Sequence, residues 1–189
     1  MTAFVSNTNL SVREMTKSDV PLVANYWFSR TKEDMQAMGA DINKLPARAD
    51  IEAMLQKQLW QDYKLKNAYC IIWLCDDVPI GHSNTNPTFF AEQANMHLHV
   101  WENKMRQKGL GAALIQLTLP YFFNKLKLKN LICEPYALNP APNKTLAKAG
   151  FQFEQEYITI PGYLNFEQSV NRWIMTRQQF ELNNPAGKK

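Results

Sequence analysis

The sequence predicts an α/β fold, one sheet layered with helices, on three observations. Segments that alternate or run apolar, Leu10 to Glu14, Ala68 to Leu74, Val78 to Thr85 and Met96 to Trp101, are interleaved with segments of helical periodicity. Two of the apolar runs are separated only by turn residues, Asp76 and Asp77, which marks a hairpin at the heart of a sheet. A glycine-containing run, Arg106 to Ala112, lies between a strand and a helix. At 189 residues the chain can bury one sizeable core and is too short for two comfortable domains. A single domain is therefore expected over 1–189, with tails at 1–9 and 183–189.

The first strand, Leu10 to Glu14, precedes a helix that Thr16 or Ser18 can cap, with Asp19 and Pro21 early in it and Val20, Val23, Ala24 and Trp27 on its apolar face. A polar helical stretch from Lys32 to Met38 stops at Gly39. After Asn43 to Pro46, the segment Arg48 to Tyr63 carries Ile51, Met54, Leu55, Gln58 and Leu59 at helical spacing. These helices either cover a sheet face or wall a substrate site. The hairpin follows, then a loop containing Pro87 and the strand Met96 to Trp101. Beyond the glycine run, Leu110, Leu114, Leu117 and Tyr121 share a helix face, and Pro120 must kink or end that helix near Leu119. Leu128 to Cys133 is strand-like, Asn143 to Ala149 is helical with Gly150 as its stop, and Phe151 to Ile158 and Arg172 to Thr176 complete the strands.

Composition narrows the function classes. Hydrophobic residues at 46% and charged residues at 20% are ordinary for a globular protein. The net charge of +4 arises from scattered side chains and lacks the clustered stripe of a nucleic-acid surface, so a polyanionic small molecule is the better-matched ligand. Met1 to Asn9 has neither a basic nor an apolar leader region, and no apolar run approaches the ~20 residues that span a bilayer. The expectation is a cytoplasmic protein with no membrane and no nucleic-acid partner. Cys70, Cys75 and Cys133 read as small buried hydrophobes in a reducing compartment.

Only glycine brings a backbone close to a phosphate and accepts positive φ cheaply, which gives Gly109 and Gly111 a reason for their places. The unpaired N–H groups and positive dipole end of the following helix favour an anion there. The spacing is neither that of a P-loop nor that of a dinucleotide fingerprint. On the run alone, an anion cradle and a plain helix-capping turn both remain open.

The order of elements, together with Arg106-x-x-Gly109-x-Gly111-Ala112 and the stretch from Asn139 to Lys148, Ala149, Gly150 and Phe151, resembles the GNAT family of acetyl-CoA-dependent N-acetyltransferases. The resemblance spans Leu10 to Arg177. It implies a GNAT fold over the single domain, a mixed central sheet of about six to seven strands splayed at the cofactor site and flanked by helices. It implies acetyl-CoA as cofactor. The diphosphate would be held by Arg106, Gln107, Lys108, Gly109, Gly111 and Ala112, the pantetheine amides by the backbone of Val100 and Trp101, and the cofactor's arm would face Asn139 and Asn143. The branch with ribosomal-protein, aminoglycoside and siderophore acetyltransferases is the nearest, since its strand after the loop helix often ends in Asp-Pro and here ends in Glu134-Pro135. Two positions depart from the family pattern. Leu146 stands where many members carry the Tyr that protonates the leaving thiolate, and Pro142 stands where the ribosomal-protein branch has Ser.

Acetyl transfer needs a neutral amine, so a side chain must take a proton from an ammonium group. Glu134, at a strand end, is the first candidate for base or amine-binding carboxylate, a solvent-facing strand end being its plainer reading. His97 and His99 project from the same strand face. His99 is a candidate base or water relay, or a hydrogen-bonded structural histidine, and His97 a substrate contact; without a third ligand in view, no metal is expected. His82 reads as structural. Tyr136 is the substitute acid by proximity. Asn84, with Thr85 and Asn86, and Tyr163, with Asn165 and Glu167, are candidates to line the acceptor pocket. The implied activity is direct transfer to a primary amine or hydroxylamine of a small molecule or peptide, in a ternary complex, by a monomer or homodimer. The competing reading is a coenzyme A-binding sensor or scaffold without turnover.

Overall fold

The computed structural model describes residues 9–101 and 109–184. Seven strands form one sheet in the order β1-β2-β3-β4-β5-β7-β6. Their ranges are β1 Leu10–Glu14, β2 Tyr69–Cys75, β3 Val78–Phe89, β4 Gln93–Val100, β5 Asn130–Cys133, β6 Gln152–Thr159 and β7 Gln168–Thr176. Every pairing is antiparallel except β4 with β5, so the sheet is mixed as expected. The β2–β3 hairpin turns at Asp76 and Asp77, both with positive φ, 50° and 62°. Short acidic side chains tolerate that conformation in the tight turns that suit a twisted hairpin.

The helices are α1 Val20–Phe28, α2 Lys32–Ala37, α3 Arg48–Leu59, α4 Leu110–Pro120, α5 Pro140–Lys148 and α6 Arg177–Asn183. On one sheet face Trp73, Met96, Leu131 and Met175 pack with Leu114, Leu119, Phe122, Leu146 and Phe180. On the other, Cys70, Ile72 and Leu74 pack with Val20, Val23, Ile51 and Leu55. Strand alternation sorts β2 between the two layers. The larger core also holds one polar bridge, Trp73 Nε1 donating to Thr118 Oγ1 at 2.9 Å.

Pro120 ends α4 as expected and opens a π-helical turn, Tyr121–Lys125, that the sequence reading lacks. Proline cannot supply the next helical hydrogen bond, and the wider turn removes that demand. The buried stripe of α4 is Leu114, Ile115, Thr118 and Leu119, while Leu117 is exposed. α5 starts at Pro140 rather than Asn143, because Asn139 caps it by accepting from Ala141 N at 3.3 Å and proline suits the first helical position. α6 was not anticipated. Its signal is the capping box of Thr176 and Gln179, followed by buried Phe180.

Candidate active site

The parallel ladder between β4 and β5 covers three pairs, Gln93 with Asn130, Ala94 with Leu131 and Asn95 with Ile132. β4 runs on to Val100, so the ladder is open beyond Asn95 and Ile132. Carrying the register two residues further would set Glu134 opposite His97, on the sheet face away from Met96 and Cys133. Each of the pair is held by its own partners. Glu134 Oε1 accepts from Arg172 Nη1 and Tyr157 Oη, both at 2.6 Å, and Arg172 Nε also donates to Glu154 at 2.7 Å. The Glu134 side chain is 9% exposed. Both contacts fall on Oε1. His97 Nε2 lies 2.8 Å from the Asn86 carbonyl oxygen. A register shift between Thr85 and Thr88 takes Asn86 and Pro87 out of the β3–β4 ladder and turns that carbonyl to the ring. Burial lowers the affinity of His97 for a proton, against the Asn86 carbonyl and the Glu134 charge, which raise it.

Next along β4, His99 Nδ1 lies 3.2 Å from the Tyr26 hydroxyl, and its ring stacks on His82 with centroids 4.7 Å apart. Trp27 meets it edge-on at 5.0 Å. His82 Nδ1 accepts from Trp101 Nε1 at 2.8 Å, and burial, with His97 adding to it, pushes its pKa down to about 3. These rings form an aromatic wall between α1 and the sheet. Trp101 N donates to Ile80 O at 2.9 Å, and Trp101 O accepts from Arg30, whose guanidinium lies 4.5 Å from the Tyr26 ring centre.

Two helix N-termini flank the same end of the sheet. α4 follows β4, and α5 follows β5; contacts of Gly111 with Thr145 and of Gln116 with Ala149 align the two in parallel. Gly109 caps α4 in the left-handed conformation, φ 74°, and a Cβ there would meet nothing within 4 Å among the described residues. The left-handed backbone is what a glycine accepts cheaply. Gly111 has another reason: a Cβ would sit 2.9 Å from Thr145 Cγ2, so it lets the helices close on each other. Ala112 packs into the core beside it. Arg106, Gln107 and Lys108 lie outside the described residues.

Asn139 caps α5. Asn143 uses its whole amide within the protein, donating to Tyr136 O and Asn139 O and accepting from Asn171 Nδ2 and Trp173 Nε1. Tyr136 bridges Val170 through its backbone, and its ring meets Phe166 edge-on at 5.9 Å. Leu146 is fully buried. Asn84 pairs with His97 across β3 and β4. Tyr163 is apart from this group and lines an apolar hollow of about 240 Å³ with Pro46, Asp50, Ile51 and Met54.

A clasp that the sequence did not reveal ties the helical layer to the β6–β7 connection. Gly39 O accepts from Gln168 Nε2 at 2.7 Å and Asn165 Nδ2 at 2.9 Å, and Asp41 N donates to Leu164 O at 2.8 Å. Gly39 has φ 78°, and a Cβ on it would fall 2.0 Å from Gln168 Oε1. A second hollow, about 220 Å³, lies at the end of β1 between Glu14, Gln58, Tyr63, Lys66 and Tyr69. Its polar groups bond one another: Tyr63 and Tyr69 donate to Glu14 Oε1, and Lys66 donates to Gln58 O. Among the described residues no three His, Cys, Asp or Glu side chains could jointly hold a metal ion, and no helix is long and apolar enough to cross a membrane.

A family model described as an acetyltransferase (GNAT) domain matches residues 9–152. Solved structures share the fold at low identity. An aminoglycoside acetyltransferase, AAC(6')-Ib, in complex with coenzyme A and kanamycin is 18% identical, with TM-score 0.69, over 92% of this chain and 98% of that one. The spermidine N-acetyltransferase of Vibrio cholerae, with coenzyme A and spermine, is 15% identical, with TM-score 0.72, over 90% and 97%. A ribosomal-protein alpha-N acetyltransferase, RimL, with coenzyme A is 15% identical, with TM-score 0.71, over 91% and 96%. A search of curated proteins finds no match.

Proposed function

The chain belongs to the GNAT acetyltransferase family, and on that premise we propose that it transfers the acetyl group of acetyl-CoA to a primary amine or hydroxylamine of a small molecule or peptide, both substrates being bound together. One observation carries the reading: the β4–β5 ladder stops at Asn95 and Ile132, short of the end of β4 and beside two helix N-termini, with His97 and Glu134 just beyond its last pair. The opening and the uncrowded glycine cap of α4 fit a long ligand bearing a diphosphate. Gly109 with Arg106, Gln107, Lys108, Gly111 and Ala112 would hold that diphosphate. The end of β4 at Val100 and Trp101, and the start of α5 at Asn139 and Asn143, would hold the arm. When bound, acetyl-CoA supplies a thioester carbonyl open to attack by an amine.

The chain's residues then align the amine and move its protons. Glu134 Oε2 binds the ammonium group, and Arg172 and Tyr157 fix the carboxylate by its other oxygen. His99 and the wall of Tyr26 and Trp27 keep water from that side of the amine. Asn84 contacts the rest of the acceptor, while Tyr163 stands apart in its own apolar hollow. Tyr136, two residues after Glu134, is the hydroxyl proposed to serve the leaving thiolate, and a thiol acidic enough to depart unaided relaxes that need. The three free cysteines suit a reducing cytosol.

Thiol release from acetyl-CoA, measured with phenethylamine, spermidine, kanamycin and an alanyl dipeptide, tests the function. At least one amine should raise release above the amine-free rate. Calorimetric binding of acetyl-CoA with no release from any amine would instead favour the sensor reading, which draws support from buried Leu146 in the place of an acid.

A further inference from the structure

We propose, resting on the acetyltransferase reading, that His97 is the proton acceptor of the reaction: the Asn86 carbonyl holds the imidazole proton on Nε2, and the Nδ1 lone pair takes the proton of the ammonium bound by Glu134. A carbonyl oxygen only accepts, so the 2.8 Å contact between His97 Nε2 and Asn86 O is a donated N–H. A neutral imidazole carries one such proton, and Nδ1 is therefore the base. The other two histidines are engaged differently. His82 spends its Nδ1 lone pair on the Trp101 indole, and His99 Nδ1 is tied to the Tyr26 hydroxyl. His97 Nδ1 makes no hydrogen bond among the described residues.

Position supports the assignment. The β4–β5 register, carried two residues past its last pair, would set His97 opposite Glu134, whose negative charge it feels, so that an ammonium held on Glu134 meets the histidine. The out-of-ladder carbonyl of Asn86 has a use here, since the same residue within the ladder would bond β4 backbone and leave the ring free to adopt either tautomer. Of the two protons that the amine nitrogen sheds, the first goes to His97 Nδ1 and on to solvent, and the second ends on the leaving sulfur. The nitrogen–carbon bond forms as the carbon–sulfur bond breaks, and that bond's electron pair stays with the sulfur.

The test uses the full chain and the best acceptor from the four amines above. His97→Gln keeps an amide N–H for the Asn86 carbonyl but has no base, and should lower kcat by about 100-fold with the acceptor KM within about threefold and acetyl-CoA affinity unchanged. Glu134→Gln should instead raise the acceptor KM. Added imidazole should restore turnover to His97→Ala. Nitrogen-15 NMR of the wild type should show a neutral His97 with its proton on Nε2 at pH 7. Wild-type kcat in both His97 variants, or a His97 that carries its proton on Nδ1 or on both nitrogens at pH 7, would overturn the assignment. A wild type silent with every amine would remove the acetyltransferase reading itself, and the assignment with it.

Discussion

Replacing Gly39 and Gly109 in turn by alanine separates two effects that usually travel together. Both glycines have left-handed backbone, φ 78° and 74°. Alanine in that conformation costs about 1 kcal/mol at either position. At Gly109 no described residue lies within 4 Å of the new methyl group, so the backbone cost is the one expected there. At Gly39 the Cβ falls 2.0 Å from Gln168 Oε1 and 2.8 Å from its Nε2, so the carboxamide must leave and its 2.7 Å bond to Gly39 O is lost. Gln168 is 5% exposed, and stranding a buried amide adds about 1–3 kcal/mol. Gly39→Ala should thus cost about 2–4 kcal/mol in all, a fall in Tm on the order of 4–16 °C for a chain of this size. Urea unfolding of the ligand-free protein, with calorimetric Tm beside it, measures the difference. Equal losses at the two glycines, within about 0.5 kcal/mol, would refute the clasp as an energetic element.

Three other perturbations follow from the structure. Burial keeps His82 neutral with a pKa of about 3 and lowers that of His97, while the unfolded chain protonates both below the ordinary 6.5. The stabilisation from His82 is therefore complete above pH 6.5 and is lost as pH falls toward its folded value, at about 1.4 kcal/mol per pH unit, and His97 adds a loss in the same direction. Urea midpoints between pH 7 and pH 5 should show at least that slope below pH 6.5, and His82→Gln, which keeps an acceptor for Trp101, should remove the His82 part of it. Asp19, 2% exposed, accepts from Arg13 at 2.6 and 2.9 Å and from Thr16 N at 2.8 Å. Asp19→Asn should cost about 2–3 kcal/mol by urea unfolding, and a loss below about 0.5 would show the pair to be idle. Gly111→Ala presses a methyl group on Thr145 Cγ2 at 2.9 Å and should cost about 1–2 kcal/mol; a double-mutant cycle with Thr145→Ala should recover most of it.

The sequence made legible whatever is written locally. β1 was read to the residue, because five residues alternate before a capping Thr16, and the hairpin at Asp76 and Asp77 has its turn chemistry within four positions. The positive φ of Gly109 followed from its place between strand and helix. What escaped was set by packing. Periodicity put Leu117 on the buried face of α4, but contact with the sheet selected Ile115 and Thr118 instead. Glu134 stood out as a carboxylate at a strand end, while its partners Tyr157 and Arg172 lie on other strands and carry no spacing signal. The clasp joins Gly39 to Gln168 across most of the chain; only the glycine's position as a helix stop hinted at it. Asn86 was noted as a polar strand end, and its carbonyl's role depends on a register shift that no residue pattern announces.

The central claim is that acetyl-CoA is held in the opening between β4 and β5, with its diphosphate at the N-terminus of α4. Hydrogen–deuterium exchange of the full chain with and without acetyl-CoA tests it most directly. Protection should concentrate at the end of β4, through the glycine run into the first turn of α4, and at the start of α5. Protection confined to the Glu14, Tyr63 and Lys66 hollow at the opposite edge of the sheet, or none anywhere, would contradict the account.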